Sequence, residues 1–414
     1  MNDHPHDQQL ERDSGHDAIG RREFLTLMIA ASLSTTSVFA QTPEDTRARF
    51  RKMSEEAERR GLAEPFKGIT TNGSVVEELF SIKPTGVSTA PVRQAAEKFL
   101  ASLTPEQRGK VLFPIDDAEW RKWMNQHFYR RQGVSFQEMS LAQREAAFAL
   151  ISVSLSAKGM RLTRDIMRLN ETLAELTGDH EFLGEWLYFI TIMGKPSATE
   201  PWGWQLDGHH AIINYFVLAD QVVMTPHFAG SEPVIAISGK YKGTAILQEE
   251  QAQGLKLIQA LSDDHRKKAI LNFSKTGNNN LTEAFKDNVV LEYAGIRASE
   301  LPDGHQQQLI ELAGHYIGNM DDGHAKIKMD EVKRHLKSTY FAWIGGTDNA
   351  SAFYYRIHSP VVLIEFDHQP PANLRGTGAN QPTRQHIHTV VRTPNGNDYG
   401  KDLLRQHYLQ RHGR

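Results

Sequence analysis

Two groups of histidines, far apart in the sequence, carry the side chains best suited to metal chemistry. His386 and His388 are separated by one residue, and residues with this spacing on a β-strand lie on the same face. They could therefore present two nitrogens to one metal ion. His209 and His210 are adjacent, so on a strand they would lie on opposite faces, and only one would join the pair. The four histidines predict a site for a divalent ion, with zinc, iron or copper as candidates.

Two carboxylates accompany the histidines and are the predicted catalytic residues. Asp207 lies just before the adjacent histidines, and Glu365 closes the apolar segment 361–364. A buried carboxylate needs a cation, a metal or an arginine as partner. Each of the two could be a metal ligand, a general base or a group that orients an imidazole. For Glu365, either Arg356 or Arg392 could supply the cation, and the pair would then be structural only.

Further residues extend the candidate site, although each also has a structural interpretation. A single buried histidine is more often a hydrogen-bonded core residue than a ligand. Gln205 could line a pocket, and Tyr399 follows a turn from which it could reach back to the site or only cap the fold. The additional candidates are His227, His358, Gln205, Arg392 and Tyr399.

Two strand-rich segments, about residues 185–238 and 338–400, must position these side chains. The β-branched and aromatic residues 211–218 predict a buried strand, and residues 219–221 predict a hairpin turn. Strands so distant in sequence are expected to meet in one sheet. We therefore predict an α+β fold with a mainly antiparallel sheet and helices packed around it.

A largely helical part, about residues 42–180, precedes the first strand-rich segment. Thr104 followed by Pro105, and Ser140 before an apolar run, are typical of helix starts. The aromatic segment 116–128, which contains Trp120, Trp123 and Phe128, is also expected to be helical.

The amino-terminal residues resemble an export signal. A polar leader precedes the arginine pair Arg21–Arg22, and a modest apolar run and small residues then lead to Ala40. This order is typical of a twin-arginine signal, and the alternative is a chance arginine pair before an amphipathic helix. The apolar run is too short for a stable membrane span. We predict a signal peptide over residues 1–40 and one large domain over residues 41–414, delivered to the periplasm or secreted by the twin-arginine machinery.

The composition excludes several classes of chemistry. The chain has 414 residues and no cysteine, which excludes disulfides, thiolate ligands and cysteine nucleophiles. Its formal net charge of −3 gives no reason to expect a nucleic acid or an anionic membrane as partner. The chain contains no Gly-x-Ser-x-Gly elbow, phosphate-binding loop, dinucleotide fingerprint or His-Glu-x-x-His helix.

Several segments together resemble the family catalogued as domain of unknown function 3500. The resemblance runs from roughly residue 45 onward and implies no catalytic residues. It is carried by GWQLDGHH (203–210), NYF and TPHFAGSEP after it, TYFAWIGG (339–346), YYRIHSPVVLIEF (354–366) and HIHTVVRTPNGNDYG (386–400).

Two functions remain open at this point. The first is an exported metal-dependent enzyme acting on a small molecule, with hydrolysis expected for zinc and redox chemistry for iron or copper. The second is a non-catalytic periplasmic protein that binds a small organic ligand in an aromatic pocket. The aromatic residues proposed for that pocket are Trp202, Trp204, Tyr215, Trp343 and Tyr355.

Overall fold

The computed structural model describes residues 43–374 and 380–412, so the predicted signal and its cleavage point lie outside the described residues. No helix in the described part is long and apolar enough to cross a membrane. The helices are α1 (Pro43–Gly61), α2 (Ala90–Ser102), α3 (Pro105–Val111), α4 (Leu141–Ser154), α5 (Ala157–Thr177), α6 (Gln248–Ala260), α7 (Asp263–Ala269), α8 (Asp303–Ile317), α9 (Asp322–Arg334) and α10 (Lys401–His412).

The strands of the described residues join in one mainly antiparallel sheet, which confirms the predicted α+β fold. Along the sheet their order is β1-β3-β4-β5-β7-β13-β12-β11-β10-β8, with β2, β6 and β9 paired at the sides of β3, β5 and β10. The strands are β1 (Leu112–Phe113), β2 (Val134–Ser135), β3 (Tyr188–Gly194), β4 (Trp202–Gly208), β5 (Ala211–Leu218), β6 (Gln221–Val223), β7 (His227–Ser231), β8 (Ile270–Asn272), β9 (Ile296–Arg297), β10 (Tyr340–Gly345), β11 (Phe353–His358), β12 (Leu363–His368) and β13 (Ile387–Arg392).

The two strand-rich segments meet at one pair of strands, β7 and β13. These strands are antiparallel, and their register places His388 opposite Gly230. The first segment contributes β3 to β7 and the second contributes β10 to β13. The β7–β13 pairing therefore brings the two histidine groups of the sequence to the same part of the sheet.

The two faces of the sheet are covered differently. On one face, alternate strand residues such as Ile213 and Val391 join a large apolar core with residues of the helices. On the other face, Ile212, Phe228 and Val390 pack with aromatic side chains from loops in a smaller core. The side chains of His388, Val390 and Arg392 belong to this loop-covered face, because they alternate with Ile387 and Val391 along β13.

The helices begin where the sequence predicts, whereas the aromatic segment does not form its predicted helix. Thr104 and Ser140 each form a capping box at the starts of α3 and α4. The helix predicted over residues 116–128 is wrong, because only a short 3₁₀ turn forms, at Ala118–Arg121. Trp120 and Trp123 are instead fully buried against the loop-covered face of the sheet.

Candidate metal centre

Three imidazoles converge in the region where the two halves of the sheet meet. The Nε2 atom of His388 lies 3.1 Å from Nε2 of His210 and 3.0 Å from Nε2 of His386. All three side chains are buried. Among the described histidines and carboxylates, these three histidines form a group whose ligand atoms all lie within 4.8 Å of one another and could hold a metal ion.

Each imidazole is placed by a different local feature. His388 is on β13, and a Cβ atom on the opposite residue, Gly230, would lie 3.1 Å from its ring. The glycine therefore leaves the space that this ring occupies. His386 lies just before β13, on the same face as His388, as the spacing predicts. His210 reaches the site from the turn between β4 and β5.

The turn residues differ from the sequence prediction. His209 and His210 were expected to lie on opposite faces of a strand, which is wrong because they form the turn itself. His210 has a positive φ of 65°, a conformation that places its ring in stacking contact with His209 at 3.9 Å between ring centroids. The His210 carbonyl accepts a 2.9 Å hydrogen bond from the Gly230 N–H, which ties the turn to β7.

The hydrogen bonds of the ring Nδ1 atoms determine where the protons are. Nδ1 of His386 lies 2.7 Å from the carbonyl oxygen of Pro370, which can only accept, so the proton is on Nδ1. Nδ1 of His388 lies 3.1 Å from a carboxylate oxygen of Glu283, which accepts in the same way when it is ionised. Both neutral rings then present Nε2 lone pairs to each other at 3.0 Å. This arrangement repels unless a cation lies between the nitrogens.

Burial keeps these rings neutral, which is the form that binds metals. It lowers the pKa of His210 and of His388 well below the ordinary value, and the neighbouring histidines lower both further. The pKa of His386 is also lowered by burial, although Glu232 and the Pro370 carbonyl oppose this effect. Neutral imidazoles do not have to lose a proton before they bind a divalent ion.

His209, the fourth predicted ligand, lies behind the site. Its ring stacks on His210, and its Nδ1 atom lies 2.7 Å from Oδ1 of Asn170 on α5. On its other side, His127 contacts the ring edge to face, with 5.2 Å between centroids. His209 thus supports the ring of His210 and does not belong to the convergent group.

Asp207 forms a buried ion pair, and one of its oxygens is left without a partner. Arg131 Nε donates to Asp207 Oδ1 at 3.0 Å, while Oδ2 is buried and accepts no hydrogen bond from the described residues. Burial raises the pKa of Asp207 to about 6, against the opposing effect of Arg131. Arg131 also donates to the carbonyl of Gln126, at 2.9 Å, so the pair fixes the loop before β2.

Glu365, the second carboxylate predicted to be catalytic, has all its hydrogen-bonding capacity in use. Its oxygens accept from the Leu281 N–H at 2.9 Å, the Thr282 N–H at 3.0 Å and the Tyr354 hydroxyl at 2.7 Å, and also from the Thr282 hydroxyl. Arg356 is its partner across β11 and β12, but no ion pair joins the two described side chains. Glu365 therefore anchors the loop 281–282 by hydrogen bonds.

Three of the additional candidates belong to hydrogen-bond networks apart from the three imidazoles. Gln205 donates to the Trp120 carbonyl at 3.1 Å and to Asn214 Oδ1 at 2.8 Å. Arg392 binds Asp287 at 2.8 Å, and the Tyr399 hydroxyl donates to the same carboxylate at 3.0 Å.

The two remaining histidine candidates are buried without hydrogen-bond partners among the described residues. His358 is on β11 and contacts the ring of Tyr293, and burial lowers its pKa to about 3. His227 is on β7, its side chain lies on the helix-covered face, and burial lowers its pKa to about 4. Neither histidine belongs to the convergent group.

The sequence did not indicate two carboxylates that hold the site together. Glu283 hydrogen-bonds His388, and burial raises its pKa. Glu232 accepts hydrogen bonds from the backbone N–H groups of residues 372–374, just after the carbonyl that binds His386. Both lie outside the histidine motifs, and no periodicity in the sequence distinguishes them from surface acids.

The aromatic residues proposed for a ligand pocket form the main core. Trp204 stacks on Tyr215 at 5.5 Å, and Trp343 stacks on Tyr355 at 6.1 Å. These four side chains and Trp202 are fully buried among the helix-covered strands. Within the described part of the chain, these five side chains therefore pack as core residues.

The comparisons with known proteins identify a family but no activity. Nothing matches this chain among the curated proteins or among the solved structures. One family, described as a protein of unknown function (DUF3500), has a model that matches residues 85–401. The matched range includes the three convergent imidazoles and Glu283. Because the match covers more than half of the chain, this protein belongs to the DUF3500 family.

Proposed function

We propose that this protein is a metal-dependent enzyme in which His210, His386 and His388 hold one zinc ion. The observation that carries the proposal is the pair of Nε2 lone pairs that face each other at 3.0 Å. A buried contact of this kind is unfavourable by itself, and a divalent cation at its centre makes it favourable.

Two of the three separations between the ring nitrogens fit a zinc ion. Metal–nitrogen distances of 2.0–2.1 Å in a tetrahedral site separate the ligand nitrogens by about 3.3 Å. Nε2 of His388 lies 3.1 and 3.0 Å from the other two nitrogens, which is close to this value. Iron enzymes of the facial-triad type use two histidines and one carboxylate. The described group here contains histidines only, which favours zinc.

Three protein ligands leave one position of a tetrahedral ion open, which is typical of catalytic zinc sites. Zinc in such a site lowers the pKa of a bound water towards neutrality and so supplies a nucleophile for hydrolysis. Glu283 would orient His388 through the hydrogen bond to Nδ1, and the Pro370 carbonyl would do the same for His386. Asp207, with one free buried oxygen, remains the predicted general base.

The proposed enzyme acts outside the cytoplasm on a small substrate. The twin-arginine pattern at the amino end supports export, because this route carries proteins that fold before they cross the membrane. The three ligands are almost closed off from solvent, so the group that reacts must be small. Esters, amides and lactones are the first substrates to screen.

Elemental analysis tests the proposal. Protein exported from its native cell and purified without a histidine tag is expected to contain about one zinc per chain. A variant with His386→Ala and His388→Ala should contain less than about a tenth of that amount, because one imidazole does not hold the ion. The matched control is His358→Ala, which removes a buried histidine outside the group and should keep the zinc.

Each other result has a definite meaning. About one iron or copper per chain would overturn zinc and point to redox chemistry, to be followed by oxygen consumption. An absence of metal after reconstitution with zinc would overturn the metal centre. If the double variant does not fold, as judged by circular dichroism, the single variant His210→Ala provides the same comparison.

A further inference from the structure

A second site lies apart from the metal centre, in a cavity of about 120 Å³ next to β6 and α9. Its walls are mostly apolar and include Phe80, Val223, Met224, Ile327 and Leu403. None of the three convergent imidazoles lines it. An apolar cavity of about 150 Å³ holds a benzene molecule, so the body of this cavity is close to the size of one aromatic ring.

The wall of this cavity contains an imidazole that makes no hydrogen bond with the described residues. His227 is about 6% exposed, and its ring makes no hydrogen bond with the described residues. Burial lowers its pKa to about 4, so at neutral pH the ring is uncharged and offers one donor and one acceptor. The ring nitrogens are not fully closed off by protein atoms, and because the residue lines the cavity, a ligand there can form a hydrogen bond with them.

The cavity also has a cationic rim. Lys83 and Arg334 line it, are exposed to solvent, and form no ion pair with the described residues. A third cation, Lys328, is already paired with Glu331 at 2.6 Å. The rim therefore has an excess of positive charge, which suits an anionic group on a ligand whose remainder is apolar.

We propose that this cavity binds a small aromatic carboxylate whose ring carries a hydroxyl group. The ring occupies the apolar body, the hydroxyl hydrogen-bonds His227, and the carboxylate lies at Lys83 and Arg334. The three parts of such a ligand would fill the apolar space, hydrogen-bond the His227 ring and pair with the two rim cations, none of which has such a partner among the described residues. This site is independent of the proposed zinc centre.

Titration calorimetry with three probes tests the site on the full chain. The probes are 3-(4-hydroxyphenyl)propanoate, the same acid without the hydroxyl, and the amide of the hydroxylated acid. We expect the hydroxylated acid to bind once per chain, and about 5-fold more tightly than the acid without the hydroxyl, the difference that one hydrogen bond gives. The neutral amide should bind about 3-fold less tightly than the acid, because the cations at the rim are exposed.

Variants assign the binding to the cavity. Ile327→Trp fills the cavity and should weaken binding of both acids at least 10-fold. His227→Phe keeps a ring of similar size and should make the two acids bind with equal affinity. The double variant Lys83→Ala with Arg334→Ala should bind the hydroxylated acid and its amide with equal affinity. The control is Lys326→Ala, which removes a cation on the same helix as Ile327 and Arg334. Lys326 is 78% exposed and paired with Asp330, so binding should not change.

Three results would overturn the site. The first is that neither acid shows saturable binding, and the second is that binding is unchanged in Ile327→Trp. The third is equal binding of acid and amide to the unmodified protein, which would remove the anionic group from the proposed ligand. Loss of zinc through His386→Ala should leave binding of the acids unchanged. Each of the two proposed sites can therefore be contradicted without affecting the other.

Discussion

The two ends of β13 carry buried polar groups on the same face of the sheet, and only one group is complete. At the carboxyl end, the guanidinium of Arg392 binds Asp287 at 2.8 Å and Asp398 at 3.2 Å, and it donates to the Thr282 carbonyl. Arg121 binds the other oxygen of Asp287, so two cations face two carboxylates. Four residues earlier, at His388, three neutral imidazoles face one another and no cation is supplied by the described residues.

The difference between the two ends indicates which buried group has a structural role and which one is a candidate for binding a ligand. Buried polar groups persist when their charges and hydrogen bonds are satisfied within the protein, as they are around Arg392. At the histidine end, the described residues leave the facing nitrogens unsatisfied, and the proposed zinc ion would satisfy them. A buried network that the described residues leave incomplete is therefore a stronger indication of a ligand than a high content of polar residues.

The largest expected effect comes from breaking the complete end. Arg392→Met should reduce the free energy of unfolding by roughly 3–5 kcal/mol, because Asp398 loses its buried cation. Urea denaturation measures the loss, and metal content should remain unchanged. Arg405→Met, which removes an exposed pair with Asp402, is the control and should change stability by less than about 1 kcal/mol. A loss of zinc in Arg392→Met would contradict the separation of the two ends.

A smaller effect is expected when the histidine end loses a supporting group but keeps its ligands. Glu283→Gln should weaken zinc binding by about 10- to 100-fold, because the carboxylate no longer fixes the proton on Nδ1 of His388. Competition with a chromophoric chelator measures the affinity. Glu300→Gln removes an exposed carboxylate paired with Lys268 and should leave the affinity unchanged. If Glu283→Gln also has no effect, Glu283 does not orient His388.

The smallest effect at neutral pH concerns His227, whose buried ring lies outside the group of three imidazoles and contributes a change in stability only as the pH falls. Its pKa is about 4 in the folded protein, below the ordinary value of 6.5. The unfolded chain therefore takes up a proton first as the pH falls. The contribution of this histidine to stability is present above pH 6.5 and is lost progressively between pH 6.5 and 4, at up to about 1.4 kcal/mol per pH unit.

Denaturation of His227→Phe across this range measures that contribution. The variant should lose stability less steeply than the unmodified protein below pH 6.5, by at most one proton. The control for the substitution itself is His180→Phe, which replaces a histidine at an exposed position. Equal slopes in His227→Phe and the unmodified protein would show that a partner already satisfies the ring.

Local patterns in the sequence predicted the strands and the faces of many of their side chains. The predicted hairpin forms, with β5 over residues 211–218 and β6 over residues 221–223, although Gln221 belongs to the strand and not to the turn as predicted. His386 and His388 lie together because alternation along a strand is a local property. The same argument was wrong for His209 and His210, because a turn with a positive φ replaces the strand at that point.

The segment 116–128 shows the limit of local patterns. This aromatic segment was predicted to be a helix, yet the backbone is mostly irregular there. Trp120 donates to the Ile115 carbonyl at 2.8 Å, and Arg131 donates to the carbonyl of Met124. These tertiary contacts satisfy backbone groups that helix hydrogen bonds would otherwise satisfy.

The sequence by itself determined the α+β class, the positions of the main strands and the pairing of His386 with His388, because each follows from the spacing of neighbouring residues. The tertiary structure alone decided that His210 would complete the group and that Glu283 would support it. His210 and Glu283 lie 178 and 105 residues from His388. They reach it only because β7 pairs with β13 and the loop after β8 covers that face of the sheet, and long-range pairings of this kind leave no periodic signal in the sequence.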